Sequence, residues 1–112
     1  MEEGAVAGFR VRLEAELEAL AAEDALGAAG QMTVARDQSA VGRLSRIDAL
    51  QGQAMAKATA ARRAARRARI AAAFARMDDG EFGHCTDCGE AIAPARLDLD
   101  STVPTCIGCA SG

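Results

Sequence analysis

Four cysteines near the C-terminus form two C-x-x-C pairs, and their thiols are the side chains of this sequence best suited to bind a metal ion. The first pair is Cys85 and Cys88, the second is Cys106 and Cys109, and 17 residues separate the two pairs. The spacing C-x2-C-x17-C-x2-C is typical of a four-cysteine zinc site. Each C-x-x-C turn directs two thiolates at one ion, and two such turns complete a tetrahedron with Zn–S bonds of about 2.3 Å. The sequence therefore predicts one structural zinc ion, since four protein ligands leave no open coordination position.

Paired cysteines also serve other chemistries, and three of them compete with zinc. A redox C-x-x-C is expected beside a βαβ pattern, which this sequence lacks. Two disulfides require an oxidising compartment, and the acidic residues 1–6 do not resemble a secretory signal. Iron can also occupy a tetrahedral sulfur site. His84 precedes Cys85 and is a fifth candidate ligand, but with four cysteines present we expect it to be a bystander.

Residues 2–27 are predicted to form a first helix that helps to position the cysteines. Apolar side chains recur there at steps of three and four residues, which is the helical period. Glycines at positions 27 and 30 predict its end. We leave residues 28–44 without an assigned conformation, with Thr33 and Asp37 as candidate caps of short turns. The apolar stripe of the first helix consists of Val6, Phe9, Leu13, Leu17 and Leu20.

Residues 45–79 are predicted to form one long second helix. Ser45 is a suitable N-cap, with Asp48 three residues later. Seven alanines recur at steps of 4, 3, 4, 3, 4 and 3, a heptad rhythm that favours close pairing with the first helix. The alternative is that alanine is so abundant here that any register would show such a rhythm. The predicted alanine seam consists of Ala54, Ala58, Ala61, Ala65, Ala68, Ala72 and Ala75.

Opposite charges on the two predicted helices favour an antiparallel pair. The first helix carries seven acidic residues between positions 2 and 24, and the second carries seven basic residues between positions 57 and 76. The predicted fold is therefore mainly α, an antiparallel coiled-coil hairpin followed by a small four-cysteine zinc finger. We expect the hairpin over residues 1–78, with its tip around 28–48, and the finger over 79–112.

Composition excludes several functional classes. The chain has 112 residues and a net charge of −3. Seven acidic residues but a single arginine lie between positions 78 and 112, whereas a finger that binds phosphates should be basic. We therefore expect no sequence-specific DNA binding. No stretch of 18 apolar residues occurs, so no membrane span is expected. With no secretory signal recognised, the expected location is the cytoplasm, and no nucleophile–base pair indicates an enzyme.

The finger segment resembles the DksA/TraR family of zinc-finger transcription regulators. The resemblance lies in Asp79-Gly80-Glu81-Phe82-Gly83-His84-Cys85-Thr86-Asp87-Cys88-Gly89-Glu90, then Ile92, Ala95-Arg96-Leu97, Pro104 and Cys106-Ile107-Gly108-Cys109. It covers about residues 78–109, and the preceding helices agree with the family in architecture rather than in sequence. The resemblance implies a protein that binds bacterial RNA polymerase through its secondary channel and modulates initiation without reading DNA sequence. An alternative is a zinc-stabilised helical adaptor for another protein.

The family also implies functional residues at the hairpin tip, where its members carry the motif D-x-x-D-x-A. This motif is absent here. The nearest candidates are Asp48 and Ala49 with the neighbouring Arg46, and Asp37 in the preceding segment. A carboxylate at the tip would act on the metal-bound catalytic centre of the polymerase, although Asp48 also suits the start of a helix.

Longer family members often work together with guanosine tetraphosphate, and the resemblance makes this nucleotide a candidate ligand. Responsive members carry basic residues late in the finger and just after the last cysteine. Asp100 and Ala110 occupy these positions here, and only Arg69 on the second helix retains the expected charge. The resemblance therefore leaves Arg69 as the one nucleotide-facing candidate.

Overall fold

Two long helices and two short ones make up the computed structural model, which describes the backbone of residues 1–38 and 43–111 and the side chains of 1–29 and 46–111. Helix α1 spans Glu3–Gln38 and α2 spans Arg43–Asp78. The short helices α3, Pro94–Leu99, and α4, Ile107–Ser111, follow within the finger. The described residues form no strand, and their one β-bridge joins His84 and Ala91. The predicted helical hairpin and cysteine finger are therefore confirmed. Neither long helix is apolar enough, over the described residues, to cross a membrane.

Helix α1 continues well beyond its predicted end. We expected it to stop at Gly27 or Gly30, but it runs to Gln38 and includes both Thr33 and Asp37, the proposed turn caps. A glycine inside a helix costs only about 1 kcal/mol relative to alanine, and strong helix formers surround both positions. Gly27 also has a packing role, because the Arg63 guanidinium lies 3.0 Å from where a Cβ of residue 27 would stand. The beginning of α2 at Arg43 is two residues before the predicted N-cap. Residues 39–42 lie outside the described part.

The apolar stripe predicted to lie on the inner face of α1 is confirmed, whereas the alanine seam predicted for the inner face of α2 is wrong. Leu13 and Leu20 are buried, and Val6, Phe9 and Leu17 are half-buried. On α2, all seven alanines of the predicted seam are exposed. The face that is at least half-buried also has a heptad rhythm, with steps of 3, 4, 3, 4, 3, 4 and 3. The residues in this rhythm are Gln53, Ala56, Ala60, Arg63, Arg67, Ile70, Phe74 and Met77, and Ala49, Arg66, Ala73 and Arg76 are at least half-buried as well.

The contacts group the chain into two compact units. The first contains residues 1–17 and 68–112, and the second contains residues 18–67. Among the described residues, every buried apolar side chain except Leu20 belongs to the first unit. Ile70 and Ala73 of α2 are fully buried there, and Phe9 of α1 contacts the ring of Phe82 at a centroid distance of 5.6 Å. Burying Ile70 and Met77 stabilises the observed face of α2, since each buried CH2 contributes about 0.8 kcal/mol and an alanine of the seam offers only one methyl.

The second unit contains a charged cluster between α1 and α2. Arg63 donates from Nε to Oδ1 of Asp24 over 2.5 Å, and Arg67 donates to the other carboxylate oxygen. The hydrogen bond from Arg63 comes first among the influences that hold the pKa of Asp24 below its usual value. Asp24 follows Leu20 on the inner face of α1, so a carboxylate continues the stripe where its apolar residues end.

Candidate metal centre

The first two cysteines lie in a tight turn beside the His84–Ala91 bridge. Cys85 donates its backbone N–H to the Glu90 carbonyl over 2.8 Å, and Gly89 returns a hydrogen bond to the Cys85 carbonyl over 2.9 Å. Gly89 has a φ of 79°, a left-handed conformation that glycine adopts without a steric penalty. The turn therefore folds back on itself and brings Cys85 and Cys88 together.

The second pair lies at the start of α4. The Ala110 N–H donates to the carbonyl of Cys106 over 2.9 Å, which closes one helical turn and places Cys109 within it. The two cysteine turns are joined by the backbone, since Thr86 donates to the Pro104 carbonyl over 2.8 Å. Backbone hydrogen bonds thus position both pairs of cysteines and join them to each other.

The four thiols are close enough to bind one ion. Their sulfur atoms all lie within 4.8 Å of one another. The Sγ atoms of Cys88 and Cys106 are 3.8 Å apart, which equals the separation of about 3.8 Å expected at a tetrahedron with bonds of about 2.3 Å. This distance is far longer than a disulfide bond of about 2.05 Å, and all four cysteines are free. The donor set and geometry fit one structural zinc ion, as predicted.

The four thiols also influence one another's ionisation. A hydrogen bond from the backbone of Cys106 is the leading cause that lowers the pKa of Cys85 to about 6. The neighbouring thiols, Cys106 foremost, raise the pKa of Cys109. Four thiolates so close together repel one another, and a dication at their centre offsets this repulsion. Binding therefore displaces protons from the thiols.

The finger also contains buried apolar residues, and two arginines hold its backbone. Leu97 of α3 is fully buried, and Phe82 and Ile92 are nearly so. Two arginines bind the loop that leads to the second cysteine pair: Arg76 donates to the Thr102 carbonyl over 3.2 Å, and Arg96 donates to that of Thr105 over 3.0 Å. The sequence indicates neither contact, because the acceptors lie 26 residues from Arg76 and 9 residues from Arg96 along the chain.

The other candidate residues lie apart from the cysteine cluster. His84 is half-buried, and the metal-binding group found among the described residues contains only the four cysteines. Near the start of α2, Arg46 and Asp48 are exposed and Ala49 is half-buried. The side chain of Asp37 lies outside the described residues.

Asp100 and Ala110 occupy the two positions at which the resemblance predicts basic residues in a nucleotide-responsive finger. Asp100 accepts hydrogen bonds from the backbone N–H and the hydroxyl of Thr102, at 3.0 and 2.7 Å. Its carboxylate thus stabilises the turn after α3. Ala110 is exposed in α4, and Arg69 is exposed on α2.

Comparison with known proteins identifies the finger. Residues 80–112 match the family model of the prokaryotic dksA/traR C4-type zinc finger. The structure of transcription factor DksA2 from Pseudomonas aeruginosa superimposes with a TM-score of 0.88 and 21% sequence identity, covering 98% of this chain and 83% of that one. No curated protein sequence matches the chain. The comparisons agree with the predicted resemblance: residues 80–112 match the dksA/traR C4-type zinc finger, and the chain has the fold of DksA2.

Proposed function

We propose that this protein is a transcription regulator that binds RNA polymerase through the secondary channel and modulates initiation. The observation that carries the proposal is the combination of a DksA/TraR-type finger with a fold that superimposes on a DksA protein over 98% of the chain. A long hairpin suits insertion into a channel, because its turn can reach a site that a compact domain cannot. The zinc finger has a structural role in this proposal and the protein is not an enzyme. Its place of action is the cytoplasm.

Charge supports action on a protein rather than on a DNA sequence. Positions 78–112 contain seven acidic residues but only one arginine. That arginine, Arg96, donates a hydrogen bond to the Thr105 carbonyl. Phosphate contacts supply most of the affinity of a DNA-binding protein and need available cations. We therefore propose that regulation occurs without sequence-specific DNA contact.

The proposed working end of the hairpin includes the beginning of α2. Asp48 and Arg46 are exposed there, so their charged groups are accessible to a partner. A carboxylate close to the metal-bound catalytic centre of the polymerase would change its electrostatics. Ala49 and Asp37 remain predicted members of this end. Guanosine tetraphosphate remains a candidate ligand through Arg69, although Asp100 and Ala110 provide no positive charge.

The test is co-purification of the zinc-loaded protein with bacterial RNA polymerase, followed by open-complex lifetime and transcript yield at several promoters. The wild type should bind and change at least one of these quantities. Asp48→Asn should still bind but lose its effect on transcription. Glu18→Gln, which removes another exposed carboxylate from the hairpin, is the matched control and should behave as wild type. If the wild type neither binds polymerase nor alters transcription, the proposed function is wrong.

A zinc-stabilised adaptor for another protein is the second candidate. Exposed apolar side chains near the start of α2 favour it: Ile47, Leu50 and Met55 are 48%, 58% and 72% exposed. Together with the absence of D-x-x-D-x-A, they indicate an end of the hairpin unlike that of the family. A pull-down that returns a different protein reproducibly, with polymerase absent, would favour the adaptor.

A further inference from the structure

Helix α2 presents two faces that could pack against α1 within the second unit. One is the observed face, which includes Ala56 and Ala60, both half-buried. The other is the exposed alanine seam, represented there by Ala58, Ala61 and Ala65. At 3.6 residues per turn the two faces are separated by roughly 150° around the helix axis. Both have heptad spacing, so spacing alone selects neither.

In the second unit, the two faces of α2 would bury similar amounts of apolar surface against α1. Leu20 is the only buried apolar residue among the side chains described between positions 18 and 67. Alanine occupies positions on both faces, and exchanging one alanine methyl for another changes little buried area. A small additional interaction on one face is therefore enough to decide which face is inside.

Asp24 makes such an interaction, and only with the observed face. Its two carboxylate oxygens accept from Arg63 and Arg67, which are four residues apart and therefore on one side of α2. Arg63 is the more enclosed, with 13% of its side chain exposed. Rotating the alanine seam inward would carry both guanidinium groups away from α1 and leave Asp24 facing methyl groups.

The position of Gly27 supports the same arrangement. A Cβ at residue 27 would stand 3.0 Å from Nη2 of Arg63. The missing side chain thus leaves room for this guanidinium against α1, one helical turn beyond Asp24. The carboxylate, the glycine and the two arginines form a complementary set that the alanine seam does not offer.

We propose that Asp24 is a positioning residue that selects which face of α2 packs against α1. Exposed ion pairs contribute little to overall stability, but a polar contact at a helix interface can determine register and orientation. By holding Arg63 and Arg67 inward, Asp24 keeps the alanine seam and the neighbouring Arg62 on the outer surface. The surface that the second unit offers to a partner therefore depends on this carboxylate, in addition to the burial of Ile70 and Met77 in the first unit.

The experiment measures alanine-methyl exposure in the zinc-loaded full chain, by NMR with a soluble paramagnetic relaxation agent. In the wild type, the methyls of Ala58 and Ala61 should relax several-fold more strongly than those of Ala56 and Ala60. In Asp24→Asn this ratio should fall toward unity. Glu23→Gln, which removes the adjacent exposed carboxylate, should keep the wild-type ratio. A wild-type ratio in Asp24→Asn would overturn the proposal.

If Asp24→Asn loses its helical structure, a variant with exchanged charges tests the proposal instead. The triple variant Asp24→Arg with Arg63→Asp and Arg67→Asp reverses every sign but preserves complementarity. It should recover the helical circular dichroism and the wild-type ratio of methyl exposure. If the charge exchange folds without recovering the ratio, or does not fold at all, the carboxylate does not select the face by pairing and the proposal is wrong.

Discussion

Replacing Leu97 by alanine should weaken zinc binding without touching a ligand. Leu97 lies on α3 and is 0% exposed. Leu→Ala removes three carbon atoms, which corresponds to about 2.4 kcal/mol at about 0.8 kcal/mol per buried carbon, and the residual cavity brings the expected loss to about 3 kcal/mol. Metal binding and folding are coupled in small zinc domains. If the finger orders around the ion, this loss appears as a roughly 100-fold weaker apparent zinc affinity, since about 1.4 kcal/mol is one factor of ten.

A matched control lies two residues away on the same short helix. Leu99 is 90% exposed, so Leu99→Ala makes the same chemical change without emptying a buried site. Competition with a chromophoric zinc chelator measures both affinities, and thermal unfolding of the zinc-loaded proteins measures both stabilities. Leu99→Ala should remain close to wild type in both. Equal effects of the two substitutions on zinc affinity would refute the link between the buried side chain and the metal site.

Three further predictions concern the metal, the charged cluster and two glycines. Cys106→Ser should bind less than one zinc ion per chain, as measured by elemental analysis. The zinc affinity of the wild type, measured by competition with a chelator, should fall as pH falls. The reason is that protons compete with zinc for thiols such as that of Cys109, whose pKa is raised. The lowered pKa of Asp24 makes its stabilising contribution complete above the ordinary value of 3.8 and lost as pH falls through the folded-state pKa. Urea unfolding should therefore show the stability difference between wild type and Asp24→Asn shrinking in acid, and a constant difference would contradict this. Gly89→Ala should destabilise by about 1–2 kcal/mol through its positive φ, whereas Gly52→Ala, inside α2 with open space around it, should stabilise by up to about 1 kcal/mol. Thermal unfolding that shows the same sign for both would be inconsistent with this reasoning.

The zinc ligands could be predicted from the sequence because their geometry is local. Two C-x-x-C turns with backbone hydrogen bonds of their own place each pair of thiols, and Gly89 permits the turn that contains Cys85 and Cys88. The inner stripe of α1 was predictable for a related reason: Phe9, Leu13 and Leu20 are large apolar residues at helical spacing, with no second stripe of similar size on the same helix.

The ends of the helices were less predictable. Gly27 and Gly30 are common stop signals, yet α1 passes through both, since the cost of one helical glycine is small compared with what tertiary contacts contribute. Gly27 leaves room for the Arg63 guanidinium, which lies 3.0 Å from where a Cβ of residue 27 would stand. The two residues are 36 positions apart, and no local pattern reveals their proximity.

By itself, the sequence determined the zinc ligands, the helical hairpin and the inner face of α1, because cysteine spacing and large apolar side chains each permit one arrangement. The tertiary structure decided which face of α2 lies inside. The exposed seam and the observed face share heptad spacing, so the spacing by which the seam was chosen does not distinguish the buried face from the exposed one. That choice depends on partners distant in sequence, on Asp24 meeting Arg63 and Arg67 in one unit and on Ile70 and Met77 joining the buried core of the other.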